Sequence, residues 1–180
     1  MNNSTEGVKI SAAFIQDIIN IYEGKDEFQS HLKKMTEGYD LSNALNFVPM
    51  ELYNNMCNWI ESQIGKVNTK RVGRKIGETA YQGMLANGFV NSGATPQEMM
   101  QALQKVASVM IKDPEKRGWE IVESAPKFII LKRTQTFNST LQFGLLDELI
   151  RKTNVLSPRV EYVKEVAAGD EFDEYKIQWL

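Results

Sequence analysis

The chain contains one cysteine and one histidine in 180 residues. Cys57 alone excludes an intrachain disulfide and any zinc site built on cysteine pairs. His31 alone removes the ordinary routes to histidine-ligated metals and imidazole acid–base chemistry. There is no Gly-x-x-x-x-Gly-Lys phosphate loop, no Gly-x-Ser-x-Gly elbow, no metalloprotease histidine pair and no calcium loop, so composition leans away from catalysis. No window approaches the roughly 18 to 20 apolar residues a bilayer-spanning helix needs. The start Met1-Asn2-Asn3-Ser4 lacks the charged and apolar regions of a signal peptide, which predicts a cytoplasmic protein.

With 42% hydrophobic and 24% charged residues and a net charge of −2, the chain has the composition of one domain, residues 1–180, with a real core. The charge is unevenly placed. Residues 1–60 carry 4 Lys/Arg against 8 Asp/Glu, and the last twenty residues 2 against 6. Between them Lys66, Lys70, Arg71, Arg74 and Lys75 put five cations into ten residues. A nucleic-acid binder would carry a broader basic face with base-reading side chains, so nucleic acid is not an expected partner. The cluster reads either as a solvated helical face or as a docking point for an acidic protein partner or an anionic ligand.

The first part, 1–67, reads as a helical front. Apolar residues from Val8 to Tyr22 recur at helical spacing and Gly24 stops the run. A short helix follows around Asp26–Met35, then a loop through Gly38, Asn43 and Asn46. Pro49 opens a helix carrying Leu52, Tyr53, Met56, Trp59, Ile60 and Ile64, which Gly65 ends. The next helix, about Thr69–Asn87, contains Gly73, Gly77 and Gly83, each costing about 1 kcal/mol against alanine if interior and exposed. The spacing Gly73-x-x-x-Gly77 leaves two bare backbone patches on one face, for close helix packing or a flat ligand. Thr95-Pro96-Gln97-Glu98 is a capping box that launches a helix ending near Asp113-Pro114.

Past Gly118 the period changes. Trp119–Ser124 and Lys127–Thr134 read as an antiparallel hairpin, the second strand apolar on both faces and therefore central or doubly covered. Asn138 or Ser139 caps a helix of Leu141, Leu145, Leu146, Leu149 and Ile150. Arg159–Val166 and Phe172–Trp179 close the chain as two strands, with Tyr175, Ile177 and Trp179 on a single face. The layout is α+β: N-terminal helices, then an antiparallel β-β-α-β-β module packed against helices.

Other residues read blandly. His31 lies among charged neighbours as a surface histidine, and Cys57 lacks a cationic neighbour and reads as a buried inert thiol. Asp170, Glu171, Asp173 and Glu174 read as a solvated hairpin edge, with a divalent-cation site the alternative. Met84, Met99, Met100 and Met110 suit either an adaptable pocket or plain core.

Several pieces occur in an order that carries a resemblance: Arg71-x-Gly73-x-x-x-Gly77, the strand Phe128-Ile-Ile-Leu131, Asn138-x-x-x-Gln142-x-Gly144-x-Leu146, and Gly169-Asp170-Glu171 followed by Tyr175-x-Ile177-x-Trp179. In these, residues 68–180 resemble the 4-vinyl-reductase-like domain, which belongs with the haem-nitric-oxide-binding domain and the transport-protein-particle subunits in one α+β superfamily. The resemblance implies a small-molecule-binding sensor or regulatory adaptor, not an enzyme, that forms a homodimer. It also implies a pocket for a small apolar ligand between helices and sheet, bordered by Tyr81, Met84, Trp119, Phe137, Asn138 and Gln142, in which apolar groups give affinity and the two amides give orientation. Two alternatives come with it: a ligand-free interaction scaffold dimerising through helices, and a reductase of a tetrapyrrole vinyl group. The paired cysteines found in many such domains are absent here, so zinc is not expected. The haem branch's histidine on a mid-chain helix and its Tyr-x-Ser-x-Arg run are also missing; Lys132-Arg133-Thr134-Gln135-Thr136 stands where that run would fall. No bound cofactor, haem included, is therefore predicted.

Overall fold

The computed structural model describes residues 4–180, so the polar start Met1-Asn2-Asn3 lies outside the described residues. The chain begins with β1 (Lys9–Ser11) and α1 (Ala12–Ile21). The expected helix from Val8 is thus a strand for its first turn. Ile10 is fully buried there, and β1 pairs antiparallel with β2 (Phe47–Pro49) on one side and β3 (Ile111–Lys112) on the other. Strands of two or three residues are too short to show a period of two, which is why helical spacing masked them. Ser11 caps α1, its hydroxyl accepting from Ala13 N at 3.3 Å and donating to Ala44 O.

After α2 (Asp26–Met35), α3 runs from Met50 to Ala86 and is broken at Gly65, whose φ of 71° and ψ of 164° suit glycine. The front half buries Tyr53, Met56, Cys57 and Ile60, and the rear half buries Val72, Gly73, Ile76, Gly77, Tyr81 and Met84. The Thr95 capping box is present and opens α4 (Pro96–Met110), which runs directly into β3 and stops short of Asp113-Pro114.

The second half is the expected β-β-α-β-β unit: β4 (Trp119–Ala125), β5 (Phe128–Arg133), α5 (Ser139–Arg151), β6 (Arg159–Lys164) and β7 (Asp173–Gln178). All neighbours are antiparallel in the order β4-β5-β7-β6, so β5 is central, with Ile129 opposite Ile177 and Leu131 opposite Tyr175. These four side chains are fully buried.

Helix α5 joins the two halves by lying against rear α3 at backbone contact. A Cβ built on Gly73 would stand 2.9 Å from Gly144 Cα, and one on Gly77 would stand 2.7 Å from Glu148 Cβ. Arg74 Nε donates to Asp147 Oδ2 at 2.5 Å, and Lys152 pairs with Glu78 across the same interface. Most of the cluster at 66–75 projects outward, with Lys66, Arg71, Arg74 and Lys75 exposed.

The acidic run differs from its reading as a solvated edge. Asp173 and Glu174 begin β7 and are buried; Asp173 accepts from Val166 N at 3.0 Å and Glu174 pairs with Lys164 at 2.8 Å.

Candidate functional site

The period of two along β5 turns Ile129, Leu131 and Arg133 to the same buried face. Two aliphatic residues belong there, but the third position carries a guanidinium. Arg133 is 3% exposed, and its Cζ lies 4.2 Å from the ring centroid of Phe137 and 4.8 Å from that of Trp119. Trp119 is its partner in the β4–β5 register. The two rings are fixed in turn: Trp119 packs on Tyr175 at 5.8 Å, and Phe137 meets Tyr53 edge-on at 5.7 Å. Gln104 of α4 donates to Trp119 O at 2.9 Å, tying the helical front to this corner of the sheet.

Ring faces attract a cation but accept few hydrogen bonds, and among the described residues Arg133 Nε and Nη1 have no hydrogen-bond partner. Burial pushes the guanidinium down to about 9, against the fields of Tyr175, Tyr53 and Asp113. At neutral pH it is therefore still a cation. Asp113, the carboxylate whose field reaches it, is already taken. Arg117 grips Asp113 through Nε at 2.8 Å and Nη2 at 3.3 Å, and Gln135 Nε2 donates to it at 2.7 Å. Burial would raise the Asp113 carboxyl, but hydrogen bonds from Arg117 and Glu115 and the charge of Arg117 bring it below its usual value.

The loop after β5 continues this polar seam. Thr134, Gln135, Asn138, Thr140 and Gln142 are all buried. Among the described residues Gln135 Oε1 lacks a partner, and so does Asn54 Oδ1, whose amide donates to Thr136 O at 2.9 Å. Two unsatisfied donors on Arg133 and two unsatisfied acceptors thus lie along one strand end and its partner helix. Native interiors satisfy such groups with water or with a ligand.

Of the pocket residues expected from sequence, Trp119 and Phe137 meet across Arg133. Asn138 is spent on structure: its Oδ1 accepts from Leu141 N at 2.8 Å, and its amide donates to Asn58 at 3.0 Å and Glu61 at 2.7 Å. With Phe137 it also lines a surface cavity of about 630 Å³ at the α3 kink. Gln142 is buried in the first turn of α5. Tyr81 sits at the other end of that helix, 5.7 Å below Lys152, and Met84 is buried one turn further along α3. A helix of 13 residues is about 20 Å long, so Tyr81 and Asn138 do not share a site. In the sequence Arg133 stands out only within the Lys132–Thr136 run, although its alternation with Ile129 and Leu131 puts it on their face of the strand.

The remaining chemical side chains lie elsewhere. His31 is exposed on α2 and stacked 4.1 Å from Trp59. Burial pushes the Cys57 thiol well up, beside Tyr53. Among the described residues no group of three or more His, Cys, Asp or Glu is placed to hold a metal ion. Helix α4 turns Met99, Met100 and Leu103 into the core and carries no imidazole, and the guanidinium fills the gap between Trp119 and Phe137. This donor set does not fit a histidine-ligated haem.

No family model matches the chain, and no curated protein matches it. Among solved structures it is similar in fold to H-NOX proteins. A point mutant of the Fe(II) unliganded H-NOX protein from K. algicida is 14% identical, with a TM-score of 0.59 over 95% of this chain and 97% of that one. A doubly substituted Tt H-NOX is 13% identical, with a TM-score of 0.61 over 93% and 91%. A structure from work on heme distortion in the H-NOX family is 16% identical, with a TM-score of 0.60 over 99% and 95%. The chain therefore has the H-NOX fold over nearly its whole length. The likeness to 4-vinyl-reductase-like and transport-particle proteins rests on the sequence pattern alone.

Proposed function

We propose that this chain is a non-catalytic small-molecule sensor or regulatory adaptor in which Arg133 holds an anionic or strongly accepting group of the ligand. The carrying observation is the buried guanidinium, caged by Trp119 and Phe137, with Nε and Nη1 unpartnered and the nearby Asp113 already bound by Arg117. Burying a charge without a partner is costly, and a ligand that supplies the counter-charge at the junction of helices and sheet recovers that cost. Ligand binding would then be read out as tighter association of α4 with the sheet. The fold supports this reading, because the K. algicida protein of the same fold is an Fe(II) protein. The missing imidazole on α4 argues for a ligand other than histidine-ligated haem.

Native mass spectrometry of the freshly purified protein, beside its denatured mass, tests the reading. The expected result is a reproducible extra mass that disappears in Arg133→Met. Bare chains alone in the native spectrum count against it, and the same spectrum reports whether the homodimer implied by the resemblance forms.

One observation favours the scaffold alternative. Gly73, Gly77 and Gly144 are occupied by the α3–α5 contact, so the glycine stripe leaves no flat ligand surface there. A dimer of bare chains in the native spectrum supports that alternative.

A further inference from the structure

We propose that the groove between the α1–α2 turn and α3 is a second site, separate from Arg133, that binds a small carboxylate with an apolar body. The groove encloses about 410 Å³, within the size range of small-molecule pockets. Its walls are apolar. Ile64 and Val72 come from either side of the Gly65 break, and Tyr22 and Phe28 form a stacked pair at 5.1 Å and 12°.

Its rim is cationic, supplied by Lys25, Arg71 and Lys75, and no carboxylate lines it. The other basic residues of this helix pair are mostly spent: Arg74 binds Asp147, Lys152 binds Glu78 and Glu148, and Lys70 lies 3.6 Å from the Phe143 ring. Among the described residues the three rim cations have no ion-pair partner. Arg71 donates only to the Asn68 amide at 3.2 Å, and Lys25 lies 5.4 Å from the Tyr22 ring. Arg71 and Lys75 are also one turn apart on α3, so their like charges repel until an anion comes between them. An apolar floor with an uncompensated cationic rim selects an amphipathic anion. Burial of the body gives affinity, and the rim fixes which end points outward. The half-enclosed shape and small volume suit a free molecule better than a membrane surface.

Isothermal titration of the full chain with decanoate tests this. We expect one saturable site per chain, at least tenfold tighter than for decyltrimethylammonium. The affinity should fall at least tenfold in the exposed double variant Arg71→Gln/Lys75→Gln. It should be unchanged in the charge-matched control Lys9→Gln/Lys127→Gln and in Arg133→Met, which separates this site from the one above. Circular dichroism checks that each variant is folded. Absence of saturable binding, equal affinity for decyltrimethylammonium, or indifference to Arg71→Gln/Lys75→Gln would overturn the proposal. So would binding to phosphatidylglycerol vesicles with none to free decanoate.

Discussion

The guanidinium of Arg133 lies 4.2 Å from the Phe137 ring, buried, and the carboxylate whose field reaches it, Asp113, is already held by Arg117. Residue 133 therefore ends a strand of core-facing aliphatics as a charge with ring faces for company. Most features of the module explain themselves as packing; this one does not.

The Asp113–Arg117 pair should behave as a structural element. Both side chains are nearly inaccessible, and removal of one partner of a buried pair typically costs about 3 to 5 kcal/mol. Asp113→Asn should destabilise the protein by about 3 kcal/mol in urea denaturation near neutral pH. The folded-state pKa of Asp113 lies below its unfolded value of 3.8, so its contribution is present above that pH and fades as pH falls through the folded value. The wild type and the variant should converge in strong acid.

The helix contact gives a second, contrasting pair. Gly144→Ala places a methyl against Lys70 O and 2.9 Å from Gly73 Cα, where neither backbone can yield cheaply, and should cost about 2 to 4 kcal/mol. Gly83 lies on the same long helix with nothing within 4 Å of a built Cβ. Gly83→Ala should stabilise by about 0.5 to 1 kcal/mol. Thermal denaturation of the two variants distinguishes close packing from simple helix propensity.

Asp17 supplies a pH signature. It lies on α1, partly buried and without an ion-pair partner among the described residues, and burial pushes its carboxyl up to about 6. A raised carboxylate pKa means that the fold disfavours ionisation, so stability is lost as pH rises from about 4 through 6. Asp17→Asn should gain about 1 kcal/mol near pH 7.5, after allowance for partial solvation, and nothing near pH 4. A gain of equal size at both values would assign the effect to something other than ionisation.

The long elements were legible in the sequence because their signals are local. The Thr95 box, the stop at Gly65 and the alternation through Tyr175 and Ile177 each act within a few residues. The small sheet was not legible, because β1, β2 and β3 owe their existence to partners about forty and about one hundred residues away. Site residues divided in the same way. Trp119 and Phe137, expected to border a pocket between helices and sheet, both lie against the Arg133 guanidinium. Tyr81 and Asn138 belong to the same expected pocket between helices and sheet, but they stand at opposite ends of α5, and α3 and α5 meet at the glycine contact between them. The central place of β5 was legible from its two apolar faces, and the sheet order agrees; the burial of Arg133 was not, because a charged residue at a strand end ordinarily turns to solvent.

The most direct test is the stability and ligand content of Arg133→Met measured together. Methionine keeps much of the volume and removes the unpaired charge. If Arg133 is there for a ligand, the ligand-free variant should be as stable as the wild type or more stable in urea, and it should carry no bound mass. A variant destabilised by more than about 2 kcal/mol that still retains the wild-type bound mass would make Arg133 a structural residue and contradict the account.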